Sequence, residues 1–571
     1  MPEHMPPGTL LILGALLVPL LRGHLRSAWM LALPLVSFAH LLSLGHGSYG
    51  EIQLFDYHLT LARIDKLSLV WGYIFHLAAF LCALYSVHVK DPIQHVAGFI
   101  YAGSAIAGAF AGDLITLFVC WELTAVSSVF LIWARHTDRS YKAGMRYLVI
   151  QVGSGVILLA GVLIHYGDTG SLAFVHLGDL SFTDNLGPTL IFIAFGIKCA
   201  FPFLHNWLQD AYPEATATGT VFLSAFTTKL SVYALARGFA GTDILIPIGA
   251  VMMAFPVFFA VIENDLRKVL AYSLNNQLGF MVVGVGVGTT MAINGAASHA
   301  FAHILYKALL FMSMGAILHR VGTTKASELG MLYRSMPWTT FFCVIGALSI
   351  SAFPLFSGFV TKSMTLTAVA NEGWDLTWFV MIFASAGVLH HSGIKIPFYG
   401  FFGHHDSGIR CKEAPLNMLL AMGITAFLCV GIGVFPAPLY SILPYPVEFE
   451  PYTASHVVTQ LQLLVFALLA FAVLARRHWE TPEVPCTNLD SDVLYRKWIP
   501  ALIRTFNGIA GPARDDFIAG GKRLAANCIG YAKSYHGPTG VFARTWLTST
   551  GVLLIVTLLS AYLLFVYRGS F

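Results

Sequence analysis

Seven ionisable side chains lie within long apolar runs of this sequence, at a depth where a charge is costly. They comprise one glutamate, four lysines and two histidines: Glu122, Lys198, Lys229, His299, His303, Lys307 and Lys362. An ionised side chain at the centre of a bilayer costs about 3 kcal/mol on insertion scales, so five such charges facing lipid would cost about 15 kcal/mol. This cost exceeds the stability of most domains. We therefore expect these groups to face one another, or water, inside a helix bundle.

The residue types in this set suit proton transfer. Burial lowers the proton affinity of a lysine and a nearby carboxylate raises it again, so protonation at one site changes the affinity of the next. His299, His303 and Lys307 recur every four residues and therefore share one helix face. A pair such as Glu122 with Lys198 could by itself be a structural salt bridge, and a lone histidine a satisfied core residue. The seven together favour a proton wire.

The tripeptide Ala-Phe-Pro interrupts two of the apolar runs, each beside a buried lysine. Pro202 follows Lys198, whereas Pro354 and then Gly358 precede Lys362. A proline within a membrane helix frees backbone groups that only a protein-lined or wet cavity can satisfy. The two interrupted runs are the seventh and the twelfth, so they cross in opposite directions. This arrangement predicts an inverted repeat with the ion path at the breaks.

The composition excludes most other classes of protein. Only 11% of the 571 residues are charged and 57% are hydrophobic, with a mean hydropathy of +0.71. An ordinary soluble domain has about 25% charged residues. A soluble enzyme, a nucleic-acid binder and a disordered scaffold are therefore excluded, and the net charge of +4 is too small to indicate an anionic partner. The 8 cysteines form no C-x-x-C pair or cluster spacing, so we expect neither a bound metal nor a cofactor.

The length of the apolar runs predicts the fold class, because a helix needs roughly 20 apolar residues to cross the hydrocarbon. We predict an all-α polytopic membrane protein with about 16 transmembrane helices. The candidate spans are residues 8–22, 28–46, 67–89, 96–112, 114–134, 147–165, 188–208, 219–238, 241–262, 268–288, 295–318, 338–368, 376–400, 415–439, 457–475 and 546–567. Lysine and arginine concentrate in the odd-numbered connections, which predicts both termini on the non-cytoplasmic side of the membrane. The expected location is a cell membrane, the inner membrane of a bacterium.

Residues 477–543 form the most polar part of the chain. Apolar residues recur there near helical spacing between basic ones, which indicates amphipathic helices that lie along the membrane or along a partner. A small loop domain is the alternative. Pro500 and the pair Gly520-Gly521 argue against one uninterrupted helix.

Six segments between about residues 95 and 370 resemble, in the same order, those of the antiporter-like proton-translocating subunits of Mrp-type cation/proton antiporters, respiratory complex I and membrane-bound hydrogenases. These segments are GDLITLFVCWELTA, FGIKCAFPFLHNWLQDAYPEA, FTTKLSVYALAR, ENDLRKVLAYSLNNQLGFM, ASHAFAHILYKALLFMSMGA and FPLFSGFVTK. The resemblance implies fourteen core helices with two inverted five-helix repeats that contain the broken helices 7 and 12. The chain then divides into helices 1–3 (1–95), the first repeat of helices 4–8 (96–238), the second repeat of helices 9–13 (241–400), helices 14–15 (415–475), the polar stretch (477–543) and a final span (546–567).

The resemblance also implies a role for each buried charge. Glu122 matches the family's glutamate on helix five and Lys198 its partner on helix seven. Lys229 matches the bridging residue on helix eight, and Lys362 the terminal lysine on helix twelve. The remaining three match the relay on helix eleven: His299, His303 and Lys307. In this family, opening and closing of the Glu–Lys pair is thought to drive a proton laterally towards the terminal lysine.

The chain looks most like the D-type member of an Mrp sodium/proton antiporter, but it extends further beyond about residue 440, as the long subunit of complex I does. We therefore expect an ion-transporting subunit, not itself an enzyme, that assembles with other membrane subunits and moves protons in exchange for sodium. The alternatives are a proton-pumping arm of a redox complex and the membrane subunit of an inorganic-carbon uptake system. The sequence leaves open the direction of flux, the stoichiometry and whether sodium enters this subunit.

Overall fold

The structure of the chain, a computed structural model, describes residues 5–403, 408–476, 484, 488–543 and 547–568. It comprises two units, Met1–Asn488 and Leu489–Phe571. The larger unit begins with α1 Thr9–Ala15, α2 Gly23–Ser43, β1 Gly47–Leu54, β2 Tyr57–Ile64, α3 Lys66–Ser86, α4 Pro92–Phe110, α5 Leu114–Trp133, α6 Asp138–Thr169, α7 Leu186–Lys198, α8 Asn206–Ala211, α9 Gly219–Ala225 and α10 Thr227–Gly238. It continues with α11 Leu245–Ile262, α12 Leu266–Val287, α13 Thr290–Val321, α14 Pro337–Ile350, α15 Ser357–Asn371, α16 Asp375–Val388, α17 Lys395–Pro397, α18 Leu416–Val434, α19 Ala437–Ser441 and α20 Ala454–Arg476.

The chain is a multi-pass membrane protein built from helices. Among the described residues, eleven helices are long and apolar enough to cross a membrane. Three shorter apolar helices, Thr9–Leu20, Leu186–Lys198 and Pro337–Ile350, also fall on predicted spans. The predicted span 219–238 consists of α9 and α10, which meet at a kink at Phe226. The count of sixteen crossings stays a prediction.

Several long helices begin where the sequence supplies a capping side chain. The N-cap residues whose side-chain oxygen accepts a backbone N–H of the first turn include Asp65, Asp113, Thr137, Asp265 and Thr289. A capped N–H no longer needs a partner within the helix, so each of these residues fixes where its helix starts. The starts of α3, α5, α6, α12 and α13 are therefore local features of the sequence.

A two-stranded hairpin is the element that the all-α prediction did not include. The strands β1 and β2 pair antiparallel, from Gly47 opposite Ile64 to Leu54 opposite Tyr57. The N–H of Thr60 in β2 donates to the Asp113 carboxylate that caps α5, at 2.9 Å. The hairpin is thus attached to the start of α5.

The first predicted break lies between α7 and α8. The N–H of Ala200 donates to the carbonyl of Ile197 at 3.1 Å, and the next N–H bonds back five residues at 3.0 Å, which is a Schellman ending. Pro202 and Phe203 then occupy the centre of a turn that is closed by a 2.9 Å hydrogen bond. Ala200 and Phe203 both have positive φ, at 61° and 66°.

The second predicted break, between α14 and α15, has the same backbone. The N–H of Ala352 donates to the carbonyl of Ser349 at 3.1 Å, and the next N–H bonds back five residues at 3.0 Å. Pro354 and Leu355 occupy the centre of the following turn, which closes at 3.1 Å. The φ angles of Ala352 and Leu355 are 56° and 75°. Two segments 152 positions apart therefore adopt one motif, a Schellman ending followed by a proline turn.

The centre of the larger unit is α13, which together with α12 is among the most buried of the long helices. It packs against α3, α9, α12, α14, α15 and α18. Among the eleven described helices that are long and apolar enough to cross a membrane, α13 has the largest buried fraction, 89% of its most apolar segment. A helix that is enclosed on all sides can carry polar side chains only if these meet polar groups of one another or of the neighbouring helices.

The smaller unit contains a helical turn Leu494–Trp498, the 38-residue helix α21 Ile499–His536, a short turn Val541–Ala543 and α22 Thr548–Arg568. The expectation that Pro500 and Gly520-Gly521 interrupt the helix is wrong. Pro500 lies in the first turn, where its missing N–H has no partner to lose. Each glycine costs about 1 kcal/mol relative to alanine, which is too little to end a helix of this length. Residues 477–483 and 485–487 of the polar stretch lie outside the described residues, as do residues 544–546.

Candidate functional site

Glu122 lies halfway along α5 and is half-buried. Its carboxylate rests on α6 at Gly155, where an added Cβ would stand only 1.4 Å from Oε1. Glu122 Oε1 is buried and has no hydrogen-bond partner among the described residues. Gly155 therefore creates the space in which the carboxylate sits, and this contact could not be read from the sequence.

Lys198 is the last residue of α7, fully buried and directed at α5. Its Nζ donates to the carbonyl of Trp121 at 2.5 Å and to Thr124 Oγ1 at 3.1 Å, and it lies 4.4 Å from the centroid of the Trp121 ring. These partners flank Glu122 along the chain, and the Lys198 ammonium interacts electrostatically with the Glu122 carboxylate. No hydrogen bond joins the two among the described contacts. The predicted pair is therefore adjacent but disengaged.

Lys229 lies in α10, just after the kink at Phe226 that separates α9 from α10. Its buried Nζ donates to the carbonyl of Ser224 at 2.5 Å. Its own carbonyl accepts from Trp71 Nε1 at 2.9 Å. The kink interrupts the helical hydrogen-bond ladder and leaves a carbonyl free for the ammonium group, so the local break positions the lysine.

His303 and Lys307 occupy successive turns of α13 and are both fully buried. Among the described residues, the two ring nitrogens of His303 have no hydrogen-bond partner. The same is true of Lys307 Nζ. The His303 ring packs edge-on against Tyr306, with centroids 5.3 Å apart, and Lys307 Nζ lies 5.9 Å from the Phe311 ring centroid. The charges of Lys229 and Lys362 act on both groups. Buried polar atoms without protein partners are sites at which water or a proton can be exchanged.

His299, one turn before His303, has partners at both ring nitrogens. Nδ1 meets Thr361 Oγ1 of α15 at 3.0 Å, and Nε2 meets the hydroxyl of Tyr306 at 3.3 Å. Tyr306 donates to Gln277 Oε1 of α12 at 3.0 Å. This chain of groups joins three helices through the imidazole.

Sequence reasoning missed the side chains that hold His299. They are Thr361, Tyr306, Gln277 and the next residue in the network, Asn276, which accepts from Gln277 at 2.6 Å and donates to the carbonyl of Met253 at 2.6 Å. The signal was present in the run SLNNQLGFM, because three adjacent amides within an apolar helix need buried partners.

Lys362 lies in α15 and its Nζ donates to the carbonyl of Ile350, the last residue of α14, at 3.0 Å. This carbonyl is free because the residue four positions later is Pro354, which has no N–H. An added Cβ at Gly358 would stand 1.9 Å from the carbonyl oxygen of Ser349, so only glycine lets α15 start this close to α14. The second break thus prepares the acceptor for the buried lysine.

The structure divides the seven predicted residues into a pair and a cluster. The pair is Glu122 with Lys198. The cluster consists of His299, His303 and Lys307 on α13, together with Lys229 on α10 and Lys362 on α15, whose charges act on these groups. Two glutamines between helices α6 and α8, Gln151 and Gln209, are buried with both amide atoms unpartnered among the described residues. Gln151 lies one turn before the glycine that seats Glu122, and sequence reasoning did not find it.

Histidine, cysteine, aspartate and glutamate side chains do not gather in a group of three or more that could hold a metal ion, within the part of the chain that the structure describes. The described side chains of the site are amines, imidazoles, hydroxyls and the Glu122 carboxylate. Such groups can accept and release protons one after another.

Comparison with known proteins relates this chain to a family described as NADH:quinone oxidoreductase/Mrp antiporter, transmembrane, which matches residues 111–389. The D-type component of the Na(+)/H(+) antiporter of Alkalihalophilus pseudofirmus is 31% identical over 366 residues, which cover 60% of this chain and 73% of that protein. Hydrogenase-4 component B of Escherichia coli (strain K12) is 29% identical over 421 residues, 66% of this chain and 62% of that protein. An A-type Na(+)/H(+) antiporter component, also from A. pseudofirmus, is 29% identical over 436 residues, which cover 68% of this chain and 53% of that protein. The chain thus spans between about half and three quarters of the length of these relatives.

Two solved structures share the fold. A chain of the Mrp complex from Dietzia sp. DQ12-45-1b superposes with a TM-score of 0.68 at 20% identity, covering 82% of this chain and 98% of that chain. A chain of the membrane-bound sulfane sulfur reductase, an archaeal respiratory membrane complex, superposes with a TM-score of 0.71 at 23% identity, covering 97% of this chain and 100% of that chain. At these identities the likeness shows the fold alone.

Proposed function

We propose, since the chain belongs to the NADH:quinone oxidoreductase/Mrp antiporter transmembrane family, that it is a proton-translocating subunit of a multisubunit Na+/H+ antiporter. The observation that carries the proposal is the set of fully buried amines and imidazoles around α13, together with the disengaged pair at Glu122 and Lys198. A protein gains nothing in stability from buried amines without carboxylate partners, so their presence indicates a function.

The proposed mechanism is a transfer of protons between neighbouring nitrogens. When Lys198 leaves Trp121 and engages Glu122, the charge of the pair is neutralised and its field on the rest of the path weakens. A proton then leaves one lysine ammonium and binds the bare nitrogen of an imidazole, and the imidazole later releases a proton to the next amine. Each charge repels the others, so occupation of one site favours release from its neighbour.

We also propose the domain organisation that the resemblance implied. Residues 96–238 and 241–400 would be the two inverted repeats, preceded by helices 1–3 in 1–95 and followed by helices 14–15 in 415–475. The identical backbone at the two proline breaks supports this assignment. We propose that the polar stretch 477–543 braces the partner subunits, with 546–567 as its anchor. The exposed apolar side chains of α21 support an amphipathic role for this stretch.

We propose that the protein acts in the inner membrane of a bacterium with both termini on the non-cytoplasmic side, and that it transports ions without catalysing a reaction of its own. Its partners would be the other membrane subunits of the antiporter. A second candidate is the proton-pumping arm of a redox complex. The similarity to Hydrogenase-4 component B favours this candidate, because that relative is as similar as the antiporter subunits are.

Proton transport in everted membrane vesicles tests the proposed function. The vesicles come from cells that express the chain with the partner subunits encoded beside it, and a pH-sensitive dye reports the gradient. We expect Glu122→Gln and Lys198→Ala each to reduce transport at least tenfold while the complex still assembles. Lys325→Ala is the matched control, because Lys325 forms an exposed salt bridge with Glu328. Transport at the control's level in either variant would show the pair to be structural.

The same vesicles separate the two candidates. Proton movement that follows an imposed sodium gradient indicates the antiporter. Movement that requires an electron donor and stops with a redox inhibitor indicates the redox arm.

A further inference from the structure

A buried histidine outside the set described above lies on an irregular part of the thirteenth predicted span. Helix α16 does not continue as an α-helix after Val388, because Leu389–Ile394 forms a π-helical turn. His391 and Ser392 lie within this turn and are both fully buried. π-Helical turns are rare and occur frequently at functional sites.

The hydrogen bonds of this turn fix the protonation of the imidazole. Ser392 Oγ donates its only proton to Ser273 Oγ of α12, at 2.7 Å. Nδ1 of His391 lies 2.8 Å from the same Ser392 oxygen, so Nδ1 must carry the hydrogen and donate it. Nε2 of the neutral imidazole is then a bare acceptor. It is buried and has no hydrogen-bond partner among the described residues.

The surroundings of His391 connect it to the cluster around α13. The charges that act on it are those of Lys307 on α13, Lys362 on α15, and His390 and Lys395 on its own segment. Lys395 Nζ donates to the carbonyl of Val261 at 2.6 Å, near the end of the span. Ser273, at the far end of the serine bridge, lies one helical turn before the Gln277 that binds Tyr306.

We propose that His391 is a further proton carrier of this path. A lysine ammonium of the cluster, Lys307 or Lys362, gives a proton to Nε2 of His391. The N–H bond of the ammonium breaks, an N–H bond forms at Nε2, and the positive charge moves from the amine to the imidazole. The Ser392–Ser273 bridge holds the ring in the tautomer that keeps Nε2 open. Nε2 then releases this proton to a water molecule on the side of Lys395, which returns the imidazole to its neutral state. The donor lysine is restored when it takes up a proton from another amine or imidazole of the cluster.

His390 distinguishes this inference from a general role of the π-helical turn. It is the adjacent residue and also an imidazole, but its ring packs on Phe471 of α20, with centroids 5.3 Å apart. It therefore points to a different helix from the one that His391 reaches through the serines. A change at His390 perturbs the same turn but leaves the His391 ring and its serine bridge in place.

The inference rests on the proposed function and is tested in the same vesicles with two nearly isosteric replacements. Glutamine keeps the hydrogen-bonding capacity of His391 but cannot titrate, whereas glutamate can. We expect His391→Gln to reduce proton transport at least tenfold, His391→Glu to retain at least a third of the wild-type rate, and His390→Gln to stay within twofold of it. Equal rates for the Gln and Glu variants, or a wild-type rate for His391→Gln, would overturn the inference.

Two further variants keep the test decisive. If His391→Gln does not assemble, Ser392→Ala leaves the imidazole in place and removes its anchor. Transport at least fivefold below wild type in Ser392→Ala would then support the carrier, and a wild-type rate would overturn it. Lys362→Leu is measured beside them: if it loses transport while His391→Gln does not, the carrier is refuted and the proposed function stands. If Lys362→Leu transports normally, the proposed function itself fails.

Discussion

The contact between Glu122 and Gly155 allows the position of the carboxylate to be changed without removing any titratable group. In Gly155→Ala the new Cβ would start 1.4 Å from Oε1 and 2.4 Å from Cδ of Glu122. The carboxylate oxygen must therefore move by roughly 2 Å to reach an ordinary contact distance. The atoms that yield are the end of a flexible side chain, so the helices α5 and α6 need not separate.

The expected effect on transport is large and the expected effect on stability is small. Displacing a reacting group by about 1 Å can cost about 100-fold in rate, so we expect transport to fall between about 10- and 100-fold. A strained rotamer of Glu122 costs about 1 kcal/mol. Alanine in place of glycine inside a helix contributes about the same in the opposite direction. The free energy of unfolding should therefore change by less than about 1 kcal/mol.

Gly153→Ala is the matched control, because Gly153 lies two residues earlier on α6 and an added Cβ there has nothing within 4 Å. Both variants are measured by dye quenching in everted vesicles, with native gel electrophoresis to report assembly and thermal unfolding in detergent to report stability. We expect Gly153→Ala to behave as wild type. The reasoning is refuted if Gly155→Ala transports at the wild-type rate, or if the two alanine variants lose transport equally.

Four further predictions follow from other contacts. Lys362→Glu should retain more transport than Lys362→Leu in the vesicle assay, because a carboxylate can still take and release a proton; equal losses would mean that the positive charge itself is required. Arg267→Met should lower the free energy of unfolding by about 2 kcal/mol in detergent melts, because it removes the donor to the buried carbonyl of Ala215 and one of the donors to the carbonyls of Pro213 and Thr216. Arg267→Lys should recover part of the loss, and an unchanged melting temperature would contradict this account. Burial raises the pKa of the Asp65 carboxyl, but the hydrogen bond and the charge of Arg237 together lower it by more, so the folded pKa lies below the usual value near 4. The stability that this carboxylate contributes is present at neutral pH and is lost as the pH falls through the folded pKa, so Asp65→Asn should destabilise the protein at pH 7 and the destabilisation should shrink as the pH falls through that pKa; a pH-independent difference would contradict the assignment. A chain that ends at residue 476 should insert and fold but recover fewer partner subunits in a pull-down; complete assembly without transport would assign the removed part to the proton path instead.

The starts of α3, α5, α6, α12 and α13 and the two turns at Ala-Phe-Pro have causes that are local in the sequence. An N-cap such as Asp113 acts on N–H groups within its own first turn. Pro354 removes its own N–H and so frees the carbonyl of Ile350 four residues earlier. Burial of Lys198 and Lys362 was equally predictable, since the apolar residues on both sides of a charge determine its depth in a membrane.

Which groups meet across helices was decided by the tertiary structure. The helical period shows that His299, His303 and Lys307 share a face, but not which helix that face contacts. Only the packing shows that Lys198 bonds to the carbonyl of Trp121 instead of the Glu122 carboxylate. The same holds for three other cross-helix contacts: the packing of Glu122 against Gly155, the link from His299 through Tyr306 to Gln277, and the serine bridge from His391 to Ser273. Residues far apart in sequence form these contacts, and no local pattern encodes the distance between them.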